Sequence, residues 1–170
     1  MSLSEMLLPE FDQIVQATRK VLERVPDDRL DWQPHEKSFS IGDLAMHVAN
    51  IVGWTEATLE QDELDVEPVE GEAWKTPTYE SSADILREFD KNAAAGKASL
   101  AASDDARFME EWSLKRRGET LMAMPKLAVV RNWVLNHIVH HRAQLGVYLR
   151  LLDVPVPQTV GPTADEPDFF

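Results

Sequence analysis

The chain has 170 residues, 44% of them hydrophobic, enough for one domain whose core forms without a disulfide or a metal. It contains no cysteine, which excludes thiolate zinc fingers, thiolate nucleophiles and disulfide frameworks and leaves the redox compartment undetermined. A net charge of −13, from 30 acidic and 17 basic residues, repels a phosphate backbone, so no nucleic-acid partner is expected.

Met1-Ser2-Leu3-Ser4-Glu5 carries neither the basic nor the apolar segment of a signal peptide, and no apolar run approaches the roughly 20 residues of a membrane span. A cytoplasmic protein with no membrane contact is the expectation. Apolar residues recur at period 3.6. Leu7, Leu8, Phe11, Ile14, Val15, Thr18, Val21, Leu22 and Val25 trace one stripe, predicting a first helix from about Ser4 to Arg24. Pro26-Asp27-Asp28 ends it, and Pro34 prevents early re-entry. Ser40-Ile41-Gly42-Asp43 reads as the capped start of a second helix running to about Glu60, with Leu44, Val48, Ile51, Val52, Thr55 and Leu59 inward.

The segment from Gln61 to Tyr79 is acidic, holds Pro68, Gly71 and Pro77, and shows no clean period. It reads as a long surface connection anchored by Trp74 and Tyr79. Ser81 or Ser82 caps a third helix to about Ala102, whose small middle, Asn92-Ala93-Ala94-Ala95-Gly96, suits close packing. Ser103 to Met124 is read as irregular, with an extended piece at Glu111 to Leu114 and a solvated basic loop at Lys115-Arg116-Arg117. Pro125 is placed as the first residue of a fourth helix carrying Val129, Val130, Trp133, Val134, His137, His141, Leu145, Tyr148 and Leu152 until Pro155 and Pro157 stop it. The polar tail from Gln158 ends in Phe169-Phe170, a pair expected to dock. The fold class predicted is all-α: a single four-helix bundle over residues 1–170 with a long crossover between helices 2 and 3.

Three of the five histidines, His137, His140 and His141, lie within Asn136-His137-Ile138-Val139-His140-His141-Arg142. His137 and His141, four residues apart, sit about 40° apart around a helix and can share one metal ion. His140, three residues after His137, shares that face too, and spacing alone does not choose between the pairs. His47 on the second helix follows the line of Leu44, Ile51 and Trp54, so two helices can aim three imidazoles at one point. Nitrogen ligands suit zinc or nickel first, with iron, copper or manganese as further candidates, and three ligands leave a position open. The ordinary alternative is three core histidines, each hydrogen-bonded to a carbonyl. His35, in a Pro-rich loop, is expected to be exposed. Asp43, one turn before His47, reads as a capping acid before an orienting carboxylate, Arg142 and Gln144 as solvated, and Trp32, Trp54, Trp133 and Tyr148 as core before pocket walls.

The sequence resembles the DinB family across nearly its whole length. The resemblance rests on Trp32-Gln33-Pro34, on Ser40-Ile41-Gly42-Asp43-Leu44-Ala45-Met46-His47, and on the block from Asn136 to Leu145. It continues through Tyr148-Leu149-Arg150-Leu151-Leu152, Val154-Pro155-Val156-Pro157 and Gly161-Pro162-Thr163-Ala164-Asp165-Glu166. It implies a four-helix bundle with a long crossover, often homodimeric, and metal ligation by His47, His137 and His141. The family's second paired histidine directly precedes Arg-Gly-Gln, matched here by His141-Arg142-Ala143-Gln144, and this selects His141 over His140. Ala143 in place of glycine and Val160 in place of an aromatic depart from the family pattern. Family members include S-transferases and isomerases that use low-molecular-weight thiols. Two expectations follow. One is a metal-dependent transferase or hydrolase acting on a small electrophile, its nucleophile brought by a thiol or water. The other is a non-enzymatic stress-response dimer or small-molecule binder with a structural metal site.

Overall fold

Serines open the three long N-terminal helices. Ser2, Ser40 and Ser81 lie in extended backbone, and each side chain accepts a hydrogen bond from the N–H three residues on, in Glu5, Asp43 and Asp84. Each such cap stabilises its helix by about 1 kcal/mol. The structure, a computed structural model, describes residues 1–168, so the terminal Phe169-Phe170 pair lies outside the described residues. In chain order the elements are α1 (Leu3–Leu22), α2 (Ile41–Glu60), β1 (Glu63–Asp65), α3 (Ser82–Ala102), α4 (Asp105–Met109), β2 (Glu111–Arg116) and β3 (Glu119–Pro125). The last helix has three consecutive parts: α5 (Lys126–Val129), a π-helical stretch (Val130–Leu135) and α6 (Asn136–Leu151).

The fold is an all-α bundle with a small sheet at its side, as the periodicity predicts for the helices. Around the bundle the order is α1, α3, α2 and the last helix, which closes back on α1. Their directions follow from the pairs they make. Lys97 meets Asp12 and Arg19 meets Asp90, so α1 and α3 are antiparallel. Asn92 donates to the Ala49 carbonyl while Gly96 faces Thr55, so α2 and α3 run parallel. Two parallel helices joined in sequence need a connection that returns the length of the first. Residues 61–81 supply it, ending with Tyr79 seated at the start of α2. There a Cβ on Gly42 would lie 2.5 Å from the Tyr79 hydroxyl, so only glycine permits the approach. Close packing also occurs at Gly96, where a Cβ would come within 3.0 Å of Thr55 Cβ. The small middle of α3 therefore does what its composition predicts.

Two stretches read as irregular are partly ordered. β1 pairs in parallel with β2, and β2 pairs antiparallel with β3. Arg117 and Gly118, with φ of 53° and 79°, form a tight hairpin turn that needs two left-handed residues. The basic run is exposed at Arg116 and Arg117, as expected, but it forms the end of β2 and its turn and not a free loop: Lys115 pairs with Glu63, and Arg116 and Arg117 pair with Glu67. Asp65 accepts the backbone N–H groups of Arg117 and Gly118 at 3.1 and 2.7 Å. Acidic residues of the crossover thus clamp the hairpin. Pro125 ends β3 and occupies the cap position, one residue before the helix it was expected to begin.

The last helix also departs from a uniform period. Its π-helical stretch widens one turn, and the buried line becomes Val130, Val134, Ile138, Arg142, Leu145 and Leu149. His137 and His141 lie beside that line, half-buried, instead of within it. Arg142, expected in solvent, is 6% exposed, whereas Trp133, expected inward, is 42% exposed. Among the described residues no helix is long and apolar enough to cross a membrane.

Candidate metal centre

His47 stands at the second turn of α2, and His137 and His141 stand on the first two turns of α6. Because α2 and α6 run antiparallel, these positions come level. Each of the three residues offers a ring nitrogen, and the three nitrogens lie within 4.8 Å of one another. The His47 ring centroid is 5.2 Å from that of His137 and 4.7 Å from that of His141. His140 turns away, exposed, and is not in the group. His35 is exposed in its loop, as expected. No fourth histidine, aspartate or glutamate joins the three among the described residues.

Burial is the main influence on their charge. His47 is pushed down to about 4, first by desolvation and then by the neighbouring His141 and His137. His137 is lowered by burial and by His141, against a nearby Trp133 carbonyl that favours the ring proton. His141 is lowered by burial, with Gln144 opposing the shift. All three are therefore neutral at pH 7, the form in which imidazole binds a metal.

Hydrogen bonding sets which nitrogen faces inward. His141 Nδ1 lies 2.7 Å from Gln144 Oε1, and Gln144 Nε2 lies 3.2 Å from His140 Nε2. With the amide placed this way, His141 carries its proton on Nδ1 and presents a bare Nε2. That Nε2 lies 2.9 Å from His137 Nε2. His137 Nδ1 is buried without a hydrogen bond of normal geometry. If Nδ1 holds the His137 proton, two lone pairs face each other at 2.9 Å and require a cation between them. If Nε2 holds it, the two rings bond directly but a buried Nδ1 acceptor is left without a donor, at a cost of about 1–3 kcal/mol. The donor set therefore fits a divalent cation better than it fits three self-satisfied core histidines.

The surroundings differ on the two sides. His47 forms part of an open groove with Phe39, Asp43, Met46, Thr76, Pro77, Thr78 and Tyr79. Asp43, read as a capping acid, is not the cap: Ser40 holds that position and accepts the Asp43 N–H. The Asp43 carboxylate accepts from the Tyr79 hydroxyl at 3.0 Å and so secures the crossover. On the other side Trp54 packs against the histidines, 5.8 Å from the His137 ring and 6.4 Å from that of His47. Trp32 pairs edge-on with Tyr148, 5.6 Å apart. Gln144 is exposed, as expected, and its side-chain oxygen also positions His141. The signal available was its spacing of three from His141, which on a helix brings the two side chains together.

The chain matches the DinB family over residues 1–168. No curated protein matches it. Among solved structures it resembles a DinB-like protein from Bacillus cereus, with 20% identity and a TM-score of 0.70, covering 91% of this chain and 95% of that one. It also resembles the DinB-like protein YjoA from Bacillus subtilis, with 17% identity and a TM-score of 0.69, covering 91% and 97% respectively. At these identities the two structures share the fold.

Proposed function

The chain belongs to the DinB family, and from that premise we propose that it is a metal-dependent enzyme in which His47, His137 and His141 hold one divalent ion. The observation that carries the reading is the convergence of three neutral imidazoles, with no fourth histidine, aspartate or glutamate among the described residues, beside an open groove. A structural site is closed by four protein ligands, whereas a catalytic one keeps a position free. That contrast favours an enzyme over a bundle with a structural ion. Zinc or nickel suits the all-nitrogen set best, with iron or manganese as further candidates.

When bound, such an ion supplies an acidified water or thiol and a Lewis-acid contact to a carbonyl. The chain's own residues do the rest. Burial keeps the three rings neutral, Gln144 fixes the orientation of His141, and Trp54 excludes water from behind. Because the chain has no cysteine, the nucleophile arrives as a small thiol or as solvent, and the reaction class is S-transfer or hydrolysis on a small electrophile. The same reading takes the working form to be a cytoplasmic homodimer. Val139, Val147 and Leu151, exposed along α6, offer the apolar contact such a dimer needs.

Elemental analysis of the full chain after metal loading and desalting tests the proposal. One divalent ion per chain is expected in the wild type and a large loss in the His137→Ala variant. No stoichiometric ion in the wild type, or undiminished metal in the variant, would overturn it. A screen of small thiols against electrophiles then separates transfer from hydrolysis.

A further inference from the structure

Behind Trp54, on the side away from the groove, the crossover and the small sheet roof over the bundle and leave a cavity of about 120 Å³. Four of the chain's five tryptophans line it: Trp54 from α2, Trp74 from the crossover, Trp112 from β2 and Trp133 from the π-helical stretch. Leu64, Val66, Leu114, Met122 and Val129 complete an apolar wall. We infer that this cavity is a binding site for an uncharged aromatic group about the size of benzene.

Three observations lead there. The volume is close to that of an engineered apolar cavity of roughly 150 Å³ that stays dry and takes up benzene. Water gains too few hydrogen bonds in such walls to fill the space. Next, hydrogen bonding does not account for two of the indoles, because Trp54 Nε1 and Trp112 Nε1 are buried without an acceptor among the described residues. What tryptophan adds at these positions is broad, flat, rigid surface, which suits a flat ligand through offset and edge-on ring contacts. Finally, the cavity has a route to solvent. Trp74 and Trp133, 46% and 42% exposed, form its outer wall. A charged group is rejected because the one polar side chain on the wall, Thr58, carries no charge to pair with it, and the Trp54 and Trp112 N–H groups are buried beneath its surface.

The position gives the site a use. The Trp54 ring separates the cavity from His137 and His47, and Trp133 lies one turn before His137. A ligand in the cavity therefore packs against the ring that backs the histidines, and its occupancy bears on them through Trp54. This link to the chemistry rests on the metal-enzyme reading, whereas the binding site itself does not.

The test is a fluorine NMR titration of the full-length protein with fluorobenzene, in chelator-treated and metal-loaded forms, with 4-fluorobenzoate as the charged comparison. Saturable fluorobenzene binding is expected in both forms and in the His137→Ala variant, with none for 4-fluorobenzoate. Ala57 lines the cavity, and Ala57→Leu fills part of it, so affinity should fall at least about tenfold. Trp74→Ala, on the exposed crossover, should weaken binding while the fold is kept, and it serves if the leucine variant does not fold. No saturable binding to the wild type, or equal affinity in wild type and both variants, overturns the inference and leaves the metal reading untouched. Fluorobenzene binding by a protein that takes up no metal keeps the cavity site and removes the metal reading.

Discussion

Lys126 should prove a structural residue whose loss is felt through carbonyls more than through charge. Its side chain is fully buried, and its ammonium group donates to the Thr58 carbonyl at 2.8 Å and to the Gln61 carbonyl, and pairs with Asp62 at 3.0 Å. Beside it, Arg107 donates to the Leu59 carbonyl at 2.6 Å. Together the two cations satisfy the last carbonyls of α2, groups that no residue of the helix itself can reach. Lys126→Met keeps the volume and removes the donor. Thr58 is 1% exposed, so its carbonyl cannot turn to water and costs about 1–3 kcal/mol when orphaned. Loss of a cation at a helix C-terminus adds about 0.3–1 kcal/mol. The larger penalty for a broken buried ion pair does not apply, because Asp62 is 72% exposed and is left solvated. Removing a desolvated ammonium gives some of this back, so the expected net loss is about 2 kcal/mol. Urea unfolding followed by circular dichroism measures it as a lower midpoint at an unchanged slope. Asp62→Asn should leave the midpoint nearly where it was. A methionine variant as stable as the wild type, or an asparagine variant as damaged as the methionine one, would refute the capping argument.

Two further outcomes follow from the site and its cover. In chelator-treated protein the depressed histidines make stability fall as the pH drops from about 6.5 toward 4, because the unfolded chain takes up protons that the folded site refuses. His47 contributes at most about 3 kcal/mol of that fall and nothing above the ordinary histidine range; a His47→Gln variant should flatten the slope, measured as unfolding midpoints at pH 7.5, 6 and 5. Gly42→Ala should displace the Tyr79 ring and break its bond to Asp43, so limited proteolysis near residues 70–80 accelerates. The gain in helix propensity, about 0.5–1 kcal/mol, keeps global stability close to wild type, and an unchanged cleavage rate would show that Tyr79 does not hold the crossover.

Much of this arrangement is written in local pattern. The caps at Ser40 and Ser81, the stripes of α1 and α2 and the spacing of His137 and His141 are short-range features, and each follows from helical period and hydrogen-bonding chemistry. The parallel course of α2 and α3 was readable indirectly, since only a returning connection explains so long a stretch between two helices. The hairpin was hidden because Trp112, Leu114, Met122 and Met124 give only two alternations per strand, and β1 is three residues long. Its strength lies in nonlocal pairs, such as those of Glu67 with Arg116 and Arg117, which leave no periodic trace. Lys126 is hidden for the same reason: nothing in its neighbourhood announces that its partners lie more than sixty residues away.

The π-helical stretch is the least legible feature and the one with the most direct bearing on the site. On a uniform helix the stripe through Val130 and Val134 continues to His137 and His141 and takes the imidazoles into the core. Widening one turn passes that line to Ile138, Arg142, Leu145 and Leu149 and sets the histidines at its flank. Full burial would seal a metal from any substrate, and full exposure would leave the rings at their ordinary value of about 6.5, with protons competing for the nitrogens near neutral pH. Half-burial avoids both: desolvation keeps the nitrogens neutral while the groove beside His47 stays open. A π-helical turn next to a site is thus a means of setting depth, and removal of one residue from Val130–Leu135 should rotate His137 and His141 out of register with His47.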